Sequence, residues 1–171
     1  MPEDVLARAR AGETAGFAAL VRSHQSLVFG IALRMLMDRA LAEDLAQEVF
    51  LQMYRSLHAI ESPAHLTFWL RRVTAHRAID RLRQERLVAT TRIDDAPEML
   101  APLSSEDPLL QTRLHALIQQ LAPMARAVLL LRYQEDLDPV EIARTLEIPV
   151  NTVKSHLKRS LAALRGQLTS V

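Results

Sequence analysis

Apolar residues recur at three- and four-residue intervals along most of the chain, and polar or proline-bearing breaks mark off successive amphipathic helices. From Pro2 to about Met37 the pattern predicts two or three helices, broken at Gly12, with Phe17, Leu20, Val21, Leu27, Val28, Ile31 and Leu33 as core. A long helix is expected from about Arg39 to Leu57, because Ala42, Ala46, Val49, Phe50, Met53 and Leu57 fall on one side at helical spacing. Its other side carries Asp44, Gln47, Glu48, Leu51 and Arg55. That stripe reads either as an ordinary solvated face or, since a leucine sits among polar groups, as a docking surface.

Glu61-Ser62-Pro63 interrupts the pattern, because the residue before a proline is pushed out of the helical region. A short loop, His58–His65, with Ile60, Glu61 and Ser62 inside it, should therefore join two long helices. In the second of these, Phe68, Ala75, Ile79 and Leu82 form a continuous stripe. A second apolar face, Leu66, Trp69, Leu70 and Val73, stops after two turns and gives way to His76, Arg77, Asp80, Arg81 and Arg83. A helix buried on two sides at its start and on one side later is leaving its core, and the newly exposed face is basic enough to lie against phosphates. Solvated arginine is the plainer alternative.

Val88–Gln111 has no apolar period and includes Pro97, Pro102 and Pro108, so it reads as a linker. Its 24 residues, fully extended, reach about 80 Å. Helical order then resumes with Leu110, Leu114, Leu117, Ile118 and Leu121 on one stripe, and with Ala127, Val128 and Leu131 after a start at Pro123. Pro139–Leu146 is a short helix, Glu147-Ile148-Pro149 a tight connection, and Val150–Arg165 a helix with the stripe Val150, Val153, Leu157, Leu161 and Leu164. The opposite face holds Asn151, Thr152, Ser155, Lys158 and Arg159, with His156 at its margin. This is the layout of a helix-turn-helix, which offers short polar side chains to base edges and cations to phosphates.

Charge sharpens the reading. Leu66–Leu87 has six arginines against Asp80 and Glu85, and Val150–Arg165 has Lys154, Lys158, Arg159 and Arg165 with no acid. The intervening Val88–Gln111 sets one arginine against Asp94, Asp95, Glu98, Glu106 and Asp107. The whole-chain net charge of +1 hides this asymmetry, and local clusters of Lys and Arg are what neutralise phosphates. Two DNA contacts on one tethered chain are the natural inference. Few glycines and aromatics among many Leu, Ala and Arg indicate an all-α fold of two small helical domains joined by a flexible acidic linker. The absence of cysteine excludes disulfides and thiolate metal sites and fits a reducing cytoplasm. The densest apolar run, Ala127–Leu131, is far shorter than the roughly 20 residues of a membrane span, so the chain should be soluble, with no membrane insertion. His24, His58, His65, His76, His115 and His156 show no metal-ligand pairing, and no glycine-rich phosphate loop or nucleophile motif appears. No metal, cofactor, small-molecule substrate or catalytic residue is expected.

These segments resemble the extracytoplasmic-function (ECF) group of the sigma-70 family of bacterial RNA polymerase sigma factors. In the N-terminal half the resemblance rests on Gly12-Glu13 with Phe17 and Leu20, then on Ala42-Glu43-Asp44-Leu45 running into Gln47-Glu48-Val49-Phe50, and then on Trp69-Leu70 with Ala78-Ile79-Asp80 and Arg83. In the C-terminal half it rests on Glu141-Ile142-Ala143, Leu146 and Thr152-Val153-Lys154-Ser155 with Arg159 and Leu164-Arg165. The resemblance implies a region 2 domain over residues 1–87, a linker over 88–111 and a region 4 helix-turn-helix domain over 112–171. It implies core RNA polymerase docking by Asp44, Gln47, Glu48, Leu51 and Arg55. Recognition and melting of the −10 element would fall to His58, Ile60, Glu61, Ser62, His76, Arg77, Asp80, Arg81 and Arg83, capturing an unstacked base. The −35 element would be read by Asn151, Thr152, Ser155, His156, Lys158 and Arg159. Core polymerase, promoter DNA and an anti-sigma factor are the implied partners. The chain departs from the family's habit at His76, where Asn is common, at Glu147, where a glycine-like turn former is common, and at His156, where Arg is common. A rival reading, a helix-turn-helix regulator of the response-regulator output type, accounts for Thr152-Val153-Lys154-Ser155-His156-Leu157 but leaves the N-terminal segments without a task.

Overall fold

The computed structural model describes residues 2–89 and 107–169. Every regular element among them is helical. The chain divides into two compact units, Met1–Arg81 and Leu82–Val171.

The first unit opens with α1 (Pro2–Arg10) and α2 (Thr14–Leu36). The turn between them needs its glycine, because Gly12 sits at φ 86°, a backbone region costly for a residue with a Cβ. Gly16 serves a different end. A Cβ there would lie 2.6 Å from the Ala9 nitrogen and 2.9 Å from the Arg8 carbonyl carbon, so only glycine lets α1 lie this close on α2. Leu6 and Ala9 of α1 are buried as a result. The expected core of α2 is half right. Leu20, Val28 and Ile31 are buried, whereas Phe17, Val21, Leu27 and Leu33 are only partly covered.

Asp38 accepts the Leu41 N–H at 3.0 Å and so caps α3 (Arg39–Ser56). Ala42, Leu45, Val49 and Met53 turn inward from α3. A 3-10 turn (Leu57–Ala59) follows, and α4 (Pro63–Ala89) begins at the proline itself. Proline is well placed in a first helical turn, where its missing N–H has no partner to lose. The predicted loop over His58–His65 therefore shortens to Ile60–Ser62. The seam that runs down α4 also differs from expectation. It is led by Leu66 and Leu70 and continues through Thr74, Ala75, Ala78, Ile79 and Leu82, while Phe68, Trp69 and Val73 are partly exposed. Thr74 is tolerated in that seam because its hydroxyl donates to the Leu70 carbonyl at 2.6 Å.

Among the described residues, α2 is the helix long and apolar enough, by length and composition, to cross a membrane. The stretch that meets the length of a span is thus α2, and not the dense apolar run Ala127–Leu131. Here α2 packs against both α1 and α3.

The second unit holds α5 (Pro108–Gln120), α6 (Pro123–Tyr133), α7 (Pro139–Leu146) and α8 (Val150–Thr169). Asp107 caps α5 by accepting the N–H groups of Leu109 and Leu110. The predicted linker thus gives up both its ends to helices, and its middle, 90–106, lies outside the described residues. In α6, Ala125 through Leu131 are all buried, Arg126 included. Burial pulls the Arg126 guanidinium down to about 10, and its Nη2 donates to the Gln119 carbonyl at 2.8 Å. Helix α7 starts with a capping box. The Asp138 carboxylate accepts the Glu141 N–H and the Glu141 carboxylate accepts the Asp138 N–H, each at 2.8 Å.

Candidate polymerase and nucleic-acid interface

The α3 stripe is exposed at Asp44, Gln47, Leu51 and Arg55. Leu51 has 59% of its surface open to solvent, and so does Tyr54, whose ring meets Phe17 edge-on at 5.2 Å. An exposed leucine and tyrosine side by side on a charged helix form the apolar centre that a protein contact needs. Tyr54 was missed by sequence reasoning. Its position three residues after Leu51 on the same helix face was the available signal.

Glu48 stands apart from its neighbours. Its Oε1 accepts Arg81 Nη2 at 2.8 Å and its Oε2 accepts Arg77 Nη1 at 3.2 Å, so both carboxylate oxygens are engaged from α4. Arg77 also donates through Nε and Nη2 to Gln52 Oε1, at 2.9 and 2.6 Å, and Arg81 donates through Nη1 to the Leu41 carbonyl at 3.2 Å. The sequence pattern placed Arg77 and Arg81 on an open basic face. In the fold they point across to α3, and the Arg81 side chain keeps only 23% exposure.

The short connection before α4 is built from the inside. Ile60 is wholly buried, which removes it from the candidate DNA contacts and makes it the anchor beneath the loop. Ser62 Oγ accepts the His65 N–H at 3.1 Å, capping α4, and the Glu61 N–H donates to His65 Nδ1 at 3.1 Å. His58 and Glu61 project into solvent from this braced turn, and on α4 Asp80 and Arg83 are exposed while His76 is half-buried.

In the second unit the chain turns sharply after α7. Glu147 adopts the left-handed region at φ 58°, ψ 43°, and its N–H and that of Ile148 both return to the Ala143 carbonyl. That closes the angle between α7 and α8 without glycine. The two helices pack together, with Ile142, Ala143 and Leu146 of α7 and Val153 and Ser160 of α8 buried. Asn151, Ser155, Lys158 and Arg159 are exposed, with Thr152 and His156 half-covered. Burial, and then the nearby Arg159 charge, lower the His156 pKa, which favours the neutral imidazole. Arg159 Nε donates to the Ser155 carbonyl at 3.3 Å, which lays the guanidinium along the helix. Among the described residues no group of three or more His, Cys, Asp or Glu side chains is placed to hold a metal ion.

The first unit is thus a helical bundle with an exposed leucine and tyrosine on α3, and the second a helix-turn-helix with exposed polar and cationic residues on the N-terminal half of α8. Residues 20–88 match the family described as Sigma-70 region 2, and residues 111–164 match Sigma-70, region 4. The chain belongs to the ECF group of the sigma-70 family. It is 30% identical over 170 residues to the ECF RNA polymerase sigma factor SigW of Bacillus subtilis (strain 168), covering 92% of this chain and 91% of that protein. The ECF RNA polymerase sigma factor SigE of Mycolicibacterium smegmatis is 32% identical over 158 residues, 87% of this chain and 60% of that one. The fold is shared with the sigma factor RpoE crystallised with the anti-sigma factor NepR from Bartonella quintana, at a TM-score of 0.73 and 16% identity over 90% of this chain and 97% of that one. CnrH, solved with the cytosolic domain of CnrY, gives 0.68 at 20% identity, over 98% and 96%. As an ECF sigma factor the protein directs RNA polymerase to promoters, and the free-standing regulator reading has no support.

Proposed function

We propose that this sigma factor divides its work between a region 2 domain, residues 1–87, and a region 4 domain, residues 112–171, linked by residues 88–111. The first docks on core polymerase through Asp44, Gln47, Leu51 and Arg55, with Tyr54 completing the apolar centre, and engages the −10 element through His58, Glu61, Ser62, His76, Asp80 and Arg83. The second reads −35 with Asn151, Thr152, Ser155 and His156 toward base edges and Lys158 and Arg159 toward phosphates. The observation that carries this division is the outward face of α8, where short polar side chains precede two cations on a helix seated by Val153. No bond-making chemistry is needed from the protein itself. Trapping one melted strand and holding polymerase beside it is sufficient.

An anti-sigma partner is part of the proposal, since a protein of the same fold, RpoE of Bartonella quintana, is held by one. A cytoplasmic site of action follows from the partners, polymerase and promoter DNA.

The chain has no cysteine, so a single introduced thiol is a unique attachment point. Glu61→Cys and Ser155→Cys variants, each carrying a tethered iron chelate, are assembled with core polymerase on a mapped promoter. Cleavage near −10 from the first and near −35 from the second is expected. Exchange of the two patterns, or cleavage of neither region by a transcriptionally active holoenzyme, overturns the division.

A further inference from the structure

Arg77 and Arg81 lie one turn apart on α4, and Leu41, Glu48 and Gln52 lie at spacings of seven and four on one flank of α3. The five hydrogen bonds between these two sets all run from guanidinium to acceptor. Asp44, Leu51 and Arg55 follow the same seven-and-four spacing three residues later, which rotates them onto the open side of α3. One helix therefore presents two parallel rows, one turned to α4 and one turned to solvent. Glu48 belongs by contact to the inner row.

We infer that Glu48, Gln52, Arg77 and Arg81 are positioning residues, forming an ionic clamp that holds the outer row of α3 at a set angle to α4, and are not themselves polymerase or phosphate contacts. The inference rests on the reading of the outer row as the polymerase-docking face. Arg77 has three N–H bonds committed to α3 and must break them to reach a phosphate, which strips Gln52 Oε1 of both guanidinium donors and leaves the half-buried Glu48 carboxylate with Arg81 alone of its two guanidinium partners on α4. Guanidinium geometry is specific to the arrangement, because Arg77 bonds two different side chains and Arg81 bonds a side chain and a backbone carbonyl at once. A lysine offers a point charge without that planar fork. A networked pair of this kind holds geometry where an isolated exposed pair does not.

The test uses the full chain with core polymerase. Glu48→Gln, the pair Arg77→Met with Arg81→Met, and all three together are compared for polymerase affinity. Promoter affinity of each holoenzyme is then measured across a salt series. Glu48→Gln and the arginine pair should each weaken polymerase binding several-fold, and Glu48→Gln should change affinity by at most about twofold more once both arginines are gone, the range of sites that no longer interact. The salt slope of promoter binding should stay at the wild-type value. Arg81→Lys, which keeps the charge, should fail to restore polymerase affinity. An equal loss from Glu48→Gln in both backgrounds makes Glu48 a direct polymerase contact and overturns the clamp. A salt slope shallower by about 1.8, or about 0.9 for each lost phosphate contact, overturns it from the other side.

Asp44→Ala with Leu51→Ala controls for the reading beneath. If that pair leaves polymerase affinity intact, the docking face is wrong, and the clamp is judged on the salt slope and the lysine variant's thermal stability. Should the arginine pair fail to fold, Arg77→Lys with Arg81→Lys, which keeps both charges and removes both planar forks, takes its place in the same cycle with Glu48→Gln.

Discussion

Gly16→Ala should destabilise the N-terminal unit, although the same change in most helices is stabilising. Alanine gains about 1 kcal/mol over glycine in a helix interior. Against that, the new methyl would sit 2.6 Å and 2.9 Å from backbone atoms of α1, and backbone cannot rotate away as a side-chain tip can. Helix α1 must therefore shift as a body by nearly an ångström. Overpacking of this kind costs about 1–3 kcal/mol. The most the unit can lose is bounded by release of α1, which would expose Leu6 at about 2 kcal/mol and forfeit the bond from Arg10 to the Leu57 carbonyl. A net loss of about 1 kcal/mol is expected once the propensity gain is subtracted. The chain's single tryptophan, Trp69, lies in this unit, so urea unfolding followed by its fluorescence reports on Met1–Arg81 without interference from the other unit. With a denaturant slope of about 1 kcal/mol per molar for a domain of this size, the midpoint should fall by about 1 M. Gly30→Ala, in the same helix, is the control, because a Cβ there would meet only the flexible tip of the Arg34 side chain, at 3.3 Å, and the propensity gain should prevail. A Gly16→Ala midpoint equal to or above wild type would refute the close-approach argument.

Lys158→Ala with Arg159→Ala should weaken promoters that depend on −35 and lower the salt slope of promoter binding by about 1.8, with polymerase co-elution unchanged; equal loss of both activities would argue against the division. Glu147→Gly should raise the stability of the second unit by about 0.5–1 kcal/mol, because the left-handed position strains glutamate and not glycine, and a thermal melt of the unit's helices reads the change. His156, with its folded pKa lowered by burial first and Arg159 second, binds a proton more readily when unfolded, so it supports stability fully above the ordinary histidine range and subtracts from it as pH falls through that range. His156→Gln should flatten that acid-side loss, and a variant as pH-sensitive as wild type would clear His156 of the effect.

The helix-turn-helix was legible in the chain because its determinants are local. Asp138 and Glu141 cap a helix that Pro139 starts, Pro149 resets the chain, and Val153 seats the helix that follows, with Leu157 partly covered one turn on. The exposed row Asp44, Leu51 and Arg55 was legible for the same reason, as the complement of an apolar stripe at fixed spacing. The α4 face was harder. Periodicity showed that Arg77 and Arg81 share a side, but it is silent on what that side meets.

Amino-acid pattern alone determined that this protein is a string of helices, where most begin and end, which stripe of each prefers burial, and how charge is segregated along it. Those properties depend on residues within a few turns of one another, where capping, propensity and the 3.6-residue repeat act. Only the tertiary structure decided that Glu48 meets Arg77 and Arg81, 29 and 33 residues away, that Ile60 lies beneath its loop, and that Gly16 admits the backbone of α1. Each depends on the rotation and spacing of one packed helix against another, and these are set by the jigsaw of the shared core. A local repeat carries no information on either.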